Sequence, residues 1–178
     1  EDAGKYLEII GRNSDRLMLL ISDLLDISSL ESREPGQGIH KSICDTLELT
    51  ERALAQVKAR HEGRGHQVDL SVKASEILAD APRLEQVLVN LLENAFKYVP
   101  EGGRIRLAWE TDGGREVVLR VSDNGPGISP EHLPRLFERF YRVDAGRARE
   151  AGGTGLGLAI VKHIVQQHDG SVSVASDL

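Results

Sequence analysis

Apolar positions change period several times along the chain, and each change marks an element. Over the first thirty residues Leu7, Ile10, Ser14, Leu17, Ile21, Leu24 and Ser28 recur three and four apart, which predicts one long helix. Ile9, Leu20, Leu25 and Ile27 widen its stripe beyond a two-stranded seam and suit one helix of a bundle. Ser32-Arg33-Glu34-Pro35-Gly36-Gln37-Gly38 breaks the pattern and separates that helix from the rest of the chain. A second helix is expected from about Ser42, its cap candidate, to Arg60, with Ile43, Leu47, Thr50, Leu54 and Val57 on one face. Val68, Leu70 and Val72 alternate with polar residues and predict a strand over 67–73, followed by a short strand near 76–79. Asp80 is placed to cap a helix from Ala81 to Tyr98, which Pro100-Glu101-Gly102-Gly103 stops. Ile105, Leu107 and Trp109, then Val117, Leu119 and Val121, alternate on either side of Asp112-Gly113-Gly114 and predict a hairpin. A short helix over 130–137, a mobile loop over 141–153, a last helix over 154–168 and a strand over 171–176 complete the chain; Leu158, Ile160, Val161, Ile164 and Val165 are expected to be buried in that helix.

Composition narrows the class. With 178 residues there is room for one ordinary domain and a small appendage, and 40% hydrophobic residues supply a core. Only 4% are aromatic, so that core must be aliphatic. A net charge of −6 argues against a nucleic-acid binder, which needs clustered Lys and Arg. Cys44 is the one cysteine; it excludes an internal disulfide and fits a reducing compartment. No apolar run reaches the roughly 18 residues of a membrane span, and no signal peptide is visible. The first residue is Glu1, so the chain is expected to be a piece of something longer.

Three clusters carry candidate chemistry. Asn90, Asn94 and Lys97 fall at i, i+4 and i+7 on one helix face, with Tyr98 adjacent. The apolar face beside them comprises Leu84, Val87, Leu88, Leu91 and Ala95. An amide oxygen suits Mg²⁺ and an ammonium suits phosphate, although a solvated helix edge explains the spacing equally well. Asp123 continues the parity of Val117, Leu119 and Val121, so its carboxylate is expected on the buried face, where it needs a donor such as an adenine amino group. Gly125 and Gly127 would let a flat base approach; the competing reading is a strand-ending turn capped by Asp123. Gly152, Gly153, Gly155 and Gly157 open a helix, whose free N–H groups make a phosphate cradle, without a Walker pattern and without the strand that a dinucleotide fingerprint follows. Between the clusters, Arg139 and Arg142 are placed to meet transferring charge, with Phe137 and Phe140 as packing residues. The histidines form no visible site: His163 and His168 do not share a helix face, and His61-Glu62 reads as solvated.

In this order the clusters resemble the N box (90–98), G1 box (123–127), F box (137–142) and G2 box (153–157) of bacterial two-component sensor histidine kinases. Phe140-Tyr141-Arg142-Val143-Asp144 is similar to the phosphate-regulon sensor subgroup. The resemblance implies an α+β fold: an α/β sandwich with a mixed sheet under three helices, shared with gyrase-type ATPases and heat-shock chaperones. It implies that residues 1–34 are the second helix of a dimerisation and phosphoacceptor hairpin, and 35–178 the catalytic ATP-binding domain. ATP and Mg²⁺ would be bound, with Asn94 on the metal, Asn90 and Lys97 on phosphates, Tyr98 near the adenine and Asp123 on its amino group. Gly125, Gly127, Ile128 and Tyr141 would line the nucleotide, Gly153, Thr154, Gly155, Leu156 and Gly157 would cradle phosphates, and residues 143–153 would be the lid. Arg142 and Lys97 would be the catalytic residues. The implied partners are the parent's own phosphoacceptor hairpin, a second copy and a response regulator, with the kinase portion cytoplasmic beneath a membrane-anchored sensor.

The ATPase relatives carry a Glu general base where this chain has Asn90, which favours a kinase over an ATPase. The phosphoacceptor histidine box is expected upstream of Glu1, and a final Gly-rich turn and strand beyond Leu178. Three other readings stay open at this point: an ATPase of the superfamily, a serine kinase acting on an anti-sigma antagonist, and a docking module without catalysis.

Overall fold

The computed structural model describes residues 39–113, 116–143 and 153–177, together with scattered positions between 4 and 25. Those scattered positions are all helical, as the heptad rhythm predicts. Their apolar side chains, Leu7, Ile10, Leu17, Met18, Ile21, Leu24 and Leu25, are exposed, and Leu20 alone among them is half-buried against the core. Ile9, Ile27, Ser28 and the boundary at 34/35 lie outside the described residues.

The body of the fold runs β1 (Ser42–Asp45), α1 (Thr46–Arg60), β2 (Gln67–Val72), β3 (Glu76–Ala79), α2 (Ala81–Tyr98), β4 (Arg104–Asp112), β5 (Glu116–Asp123), a single 3₁₀ turn (Leu133–Arg135) and α3 (Gly157–Gln167). β2, β4 and β5 form a mixed sheet in that order, with β2 parallel to β4 and β4 antiparallel to β5. The parallel pair needs a long crossover, which β3 and α2 supply. β1 and β3 form a separate antiparallel pair. α2 lies between α1 and α3 and packs on both. The core between helices and sheet is aliphatic, apart from Phe96 and Trp109. Trp109 Nε1 donates to Thr50 Oγ1 at 2.8 Å, and Thr50 Oγ1 donates to the Thr46 carbonyl at 2.7 Å, so the indole N–H is satisfied inside the core. No helix among the described residues is long and apolar enough to cross a membrane.

α2 has the predicted bounds. Asp80 is extended and its carboxylate accepts from Arg83 N–H at 3.3 Å, while Val99 takes the extended backbone that a following proline imposes. Its buried face is Leu84, Val87, Leu88, Leu92, Ala95 and Phe96; Leu91 is only partly covered. The hairpin is also as predicted, in a register that sets Leu107 opposite Val121 and Ile105 opposite Asp123.

Four expectations are corrected. The helix expected from Ser42 begins at Thr46, capped by Asp45, whose carboxylate accepts from Glu48 N–H at 2.9 Å. Ser42–Asp45 is a strand because Ala79 to Glu76 pairs with it. The helix's buried face therefore rotates to Thr46, Leu49, Thr50, Ala53 and Val57, leaving Ile43 72% exposed. The helix expected over 130–137 shrinks to one 3₁₀ turn, and the last helix starts at Gly157 rather than 154 because Gly155 takes φ +75°. In that helix Ile160, Val161 and Ile164 are buried, joined by Leu156, while Leu158 and Val165 are half-buried. Residues 171–176 are not a strand: they have no ladder partner among the described residues and are held by Ser176 Oγ, which accepts from Ile128 N–H at 2.9 Å, and by Val172 on the core.

Candidate functional site

The edge of α2 that carries Asn90, Asn94 and Lys97 faces the start of α3. Its first anchor is a buried amide. Asn90 Oδ1 lies where a Cβ on Gly157 would meet it at 3.6 Å, and Asn90 Nδ2 is buried with no hydrogen-bond partner among the described residues. A donor left unpaired out of water costs about 1–3 kcal/mol, so this amide is poised for an acceptor that the described residues do not supply.

Lys97 lies one helical turn beyond Asn94. A Cβ built on Gly153 would sit 2.5 Å from Lys97 Nζ and 4.0 Å from Arg142 Nη2. Two cations from distant segments thus converge on one glycine backbone, and any side chain there would displace the ammonium. Lys97 Nζ also lies 4.9 Å from the centre of the Tyr98 ring, which is 51% exposed. From Leu156 onward α3 opens with no side-chain cap, which leaves its first N–H groups without intrahelical partners and sets its positive dipole end at Gly157, beside Asn90. Thr154 Oγ1 accepts from Leu156 N–H at 3.2 Å and shapes the approach. Gly155 holds φ +75°, and a Cβ there would come within 3.0 Å of the Phe140 backbone; its carbonyl accepts from Phe140 N–H at 2.9 Å. The glycines at 153–157 are thereby locked to residues 140–142.

At the other end, β5 delivers Asp123, but not as expected. The carboxylate is exposed rather than buried, and Asp123 Oδ1 accepts from Gly125 N–H at 2.8 Å. The parity of β5 holds as far as Val121; Asp123 is exposed although its register partner Ile105 is fully buried, and the strand ends there in a turn. A Cβ on Gly125 would lie 2.7 Å from that Oδ1, so the turn requires glycine at this position. Gly127 is half-buried at φ +75°, and the Ile128 N–H is committed to Ser176. Tyr141 is half-buried and its hydroxyl meets His132 Nδ1 at 2.6 Å. Phe140, expected to pack, is 58% exposed at φ 61°. Of the expected lid, residues 144–152 lie outside the described residues.

Several supporting residues carry no signal in the sequence. Arg64 Nη1 donates to the carbonyls of Phe96 and Lys97, at 3.0 and 3.2 Å, and so ties down the end of α2 that bears Lys97 and Tyr98. His61, expected to be solvated, is bound to Glu93 Oε2 at 2.7 Å with its side chain 17% exposed. His168 Nδ1 donates to the Ile164 carbonyl at 2.8 Å, and its Nε2 accepts from Asp80 N–H at 3.0 Å, joining the end of α3 to the cap of α2. Asn124 Oδ1 accepts from Arg104 N–H at 2.7 Å and closes the end of the hairpin. A cleft of about 590 Å³ between α1 and α2, lined by Arg52, Gln56 and Glu85 among others, shares no residue with the candidate site.

An orphaned amide, an uncapped helix start and two converging cations fit a polyphosphate. Among the described residues no three His, Cys, Asp or Glu side chains come together as a metal cage. Any metal here would share its ligands with phosphate, a manner of binding that suits Mg²⁺.

Residues 79–178 match the family model of the Histidine kinase-, DNA gyrase B-, and HSP90-like ATPase. The chain is 40% identical over 174 residues to the phosphate regulon sensor protein PhoR of Pseudomonas aeruginosa, covering 97% of this chain and 38% of that protein. It is 34% identical over 179 residues to the sensor protein SrrB of Staphylococcus aureus, covering 100% of this chain and 30% of that protein. The chain thus spans well under half the length of either relative. Among solved structures, full-length ShkA in complex with AMPPNP superposes with a TM-score of 0.82 at 29% identity, covering 100% of this chain and 36% of that one. The match of fold and sequence has one conclusion: the chain belongs to the histidine kinase-, DNA gyrase B- and HSP90-like ATPase family, in the ATP-binding domain type of the sensor histidine kinases.

Proposed function

We propose that this domain binds Mg²⁺-ATP in the cleft between α2 and the 140–157 segment and presents the γ-phosphoryl group to a histidine of its parent protein, for relay to an aspartate of a response regulator. The observation that carries this is the convergence of Lys97 and Arg142 on Gly153, beside the Asn90 amide nitrogen, which has no partner among the described residues. A protein-bound AMPPNP in the ShkA complex supports the same ligand class.

The residues divide the work. Lys97 and the uncapped start of α3 offset phosphate charge, and Gly153, Thr154, Gly155, Leu156 and Gly157 keep the backbone close enough to cradle it. Asn90 Nδ2 donates to a phosphate oxygen. Asn94 is the residue placed to give Mg²⁺ an amide oxygen; the ion, when bound, would offset the charge of the phosphates. Arg142 stabilises charge that develops on the transferred group. Asp123 takes the adenine amino group through Oδ2, because Oδ1 is committed to Gly125. Gly125, Gly127, Ile128, Tyr98 and Tyr141 shape the base and ribose side. Asn90 cannot take a proton from water, since an amide is not a base, so nothing at this position promotes hydrolysis. A dimer built through the exposed stripe of the leading helix would bring the acceptor histidine of one copy within reach.

The test is calorimetric titration of Mg²⁺-ATP into the chain, with released phosphate assayed afterwards. Binding with almost no phosphate released fits the kinase reading. Binding with steady release would move the site to an ATPase, and no binding would leave the docking-module alternative.

A further inference from the structure

Residues 138–142 take a path that an ordinary loop would not hold. Phe140 keeps φ at 61° although it is neither glycine nor a short polar residue. Such a conformation persists where the surroundings over-determine it. Two anchors do so here. The Phe140 N–H donates to the Gly155 carbonyl at 2.9 Å, and the Tyr141 hydroxyl lies 2.6 Å from His132 Nδ1. Glu131 Oε1 is 3.7 Å from His132 Nε2, which favours the ring proton on Nε2 and leaves Nδ1 to accept the phenol O–H. The Arg135 guanidinium covers the Tyr141 ring at 4.2 Å and is itself bonded to Glu138 at 3.1 Å. The next residue after Tyr141 is Arg142, whose Nη2 stands beside Gly153 and Lys97 Nζ.

We propose that His132 is a positioning residue: by holding the Tyr141 hydroxyl it sets where the Arg142 guanidinium stands relative to Lys97, and so how firmly the site grips the terminal phosphate of a nucleoside triphosphate. The proposal rests on the nucleotide reading above. It assigns His132, on a segment outside all the sequence clusters, a role in distinguishing triphosphate from diphosphate. The bond reaches nine residues along the chain, and nothing in the spacing of His132 and Tyr141 announces it.

The experiment reads the ratio of dissociation constants for Mg²⁺-ADP and Mg²⁺-ATP, by calorimetry on the full chain. Arg142→Ala comes first and is expected to lower that ratio. His132→Ala and Tyr141→Phe should each lower it about fivefold, the effect of one net hydrogen bond, with ADP affinity nearly unchanged. The double variant should be no worse than either single one, because both remove the same bond. His132→Asn, whose amide oxygen can replace Nδ1 as acceptor, should restore the wild-type ratio. A ratio unmoved by His132→Ala while Arg142→Ala lowers it overturns the positioning role and leaves the nucleotide reading intact. Equal losses of ADP and ATP affinity in His132→Ala would mean general loosening and also overturn it. A wild-type chain that binds neither nucleotide, or an Arg142→Ala chain with an unchanged ratio, overturns the reading on which the proposal stands and the proposal with it.

Discussion

The two ends of the proposed nucleotide site are prepared in opposite ways. At 123–127 the carboxylate of Asp123 is exposed and already bonded to the backbone of its own turn. At 153–157 the facing amide nitrogen of Asn90 is buried with no partner among the described residues, and two cations are drawn together against Gly153. One end is locally satisfied and needs a ligand only to use a spare oxygen. The other holds a buried amide nitrogen with no hydrogen-bond partner among the described residues. A site of this kind is expected to give up stability at its phosphate end in exchange for affinity, while its base-recognition end is close to neutral for folding.

The sharpest way to break this comparison is Asn90→Ala. Removing an unsatisfied amide from a helix interior and adding a strong helix former should leave thermal stability equal or raised, while Mg²⁺-ATP affinity falls about a hundredfold. A falling melting temperature with intact affinity would reverse the roles of the two ends. Asp123→Asn is next. Its amide oxygen can keep the bond from Gly125 N–H, but its amide nitrogen would face the adenine amino group as a second donor. Affinity should drop about thirtyfold, the size of a charged hydrogen bond, with the unfolding midpoint nearly unmoved. Calorimetry paired with denaturant unfolding reads both variants. Gly155→Ala should cost about 1–2 kcal/mol of folding stability, because a Cβ at φ +75° meets the Phe140 backbone at 3.0 Å. A variant at 155 as stable as wild type would mean that the link between the 140–142 and 153–157 segments is slack.

The smallest effect lies far from the cleft and serves as its control. The Asp169 carboxyl is held below its usual 3.8 by a hydrogen bond from Lys41, reinforced by that ammonium's charge. A depressed carboxylate contributes stability above its unfolded value, and that contribution disappears as pH falls through the lower folded value. Asp169→Asn should therefore flatten the stability profile slightly below pH 4 and leave nucleotide affinity at neutral pH unchanged. A change in affinity would tie the Lys41 contact to the cleft.

Local rules were enough where an element is decided by its neighbours in sequence. The bounds of α2 come from Asp80 and Pro100, and the hairpin from alternation around Asp112 and Gly113. They failed where the deciding partner is distant. Ser42–Asp45 continues a helical period, yet it pairs with Glu76–Ala79 more than thirty residues on. The expected strand over 171–176 alternates correctly, yet it has no ladder partner among the described residues. Asp123 has the parity of a buried residue and pairs with buried Ile105, yet it stands exposed at the strand's end, bonded to the Gly125 N–H of the turn that follows.

The sequence by itself supplied the candidate residues for the proposed chemistry. Two amides and a lysine on one helix edge, an aspartate before two glycines, an arginine, and a glycine-rich helix start are a chemical inventory, and inventory is a property of composition and spacing. Tertiary structure alone decided how they meet. Lys97 and Arg142 lie on different elements and stand against Gly153 only because α3 packs on α2 and the Phe140–Gly155 bond folds one segment over the other. Likewise Asn90 Nδ2 is left without a partner among the described residues by the burial that this packing imposes. Close approach and desolvation are set by which surfaces the whole chain removes from water, and no local window contains that information.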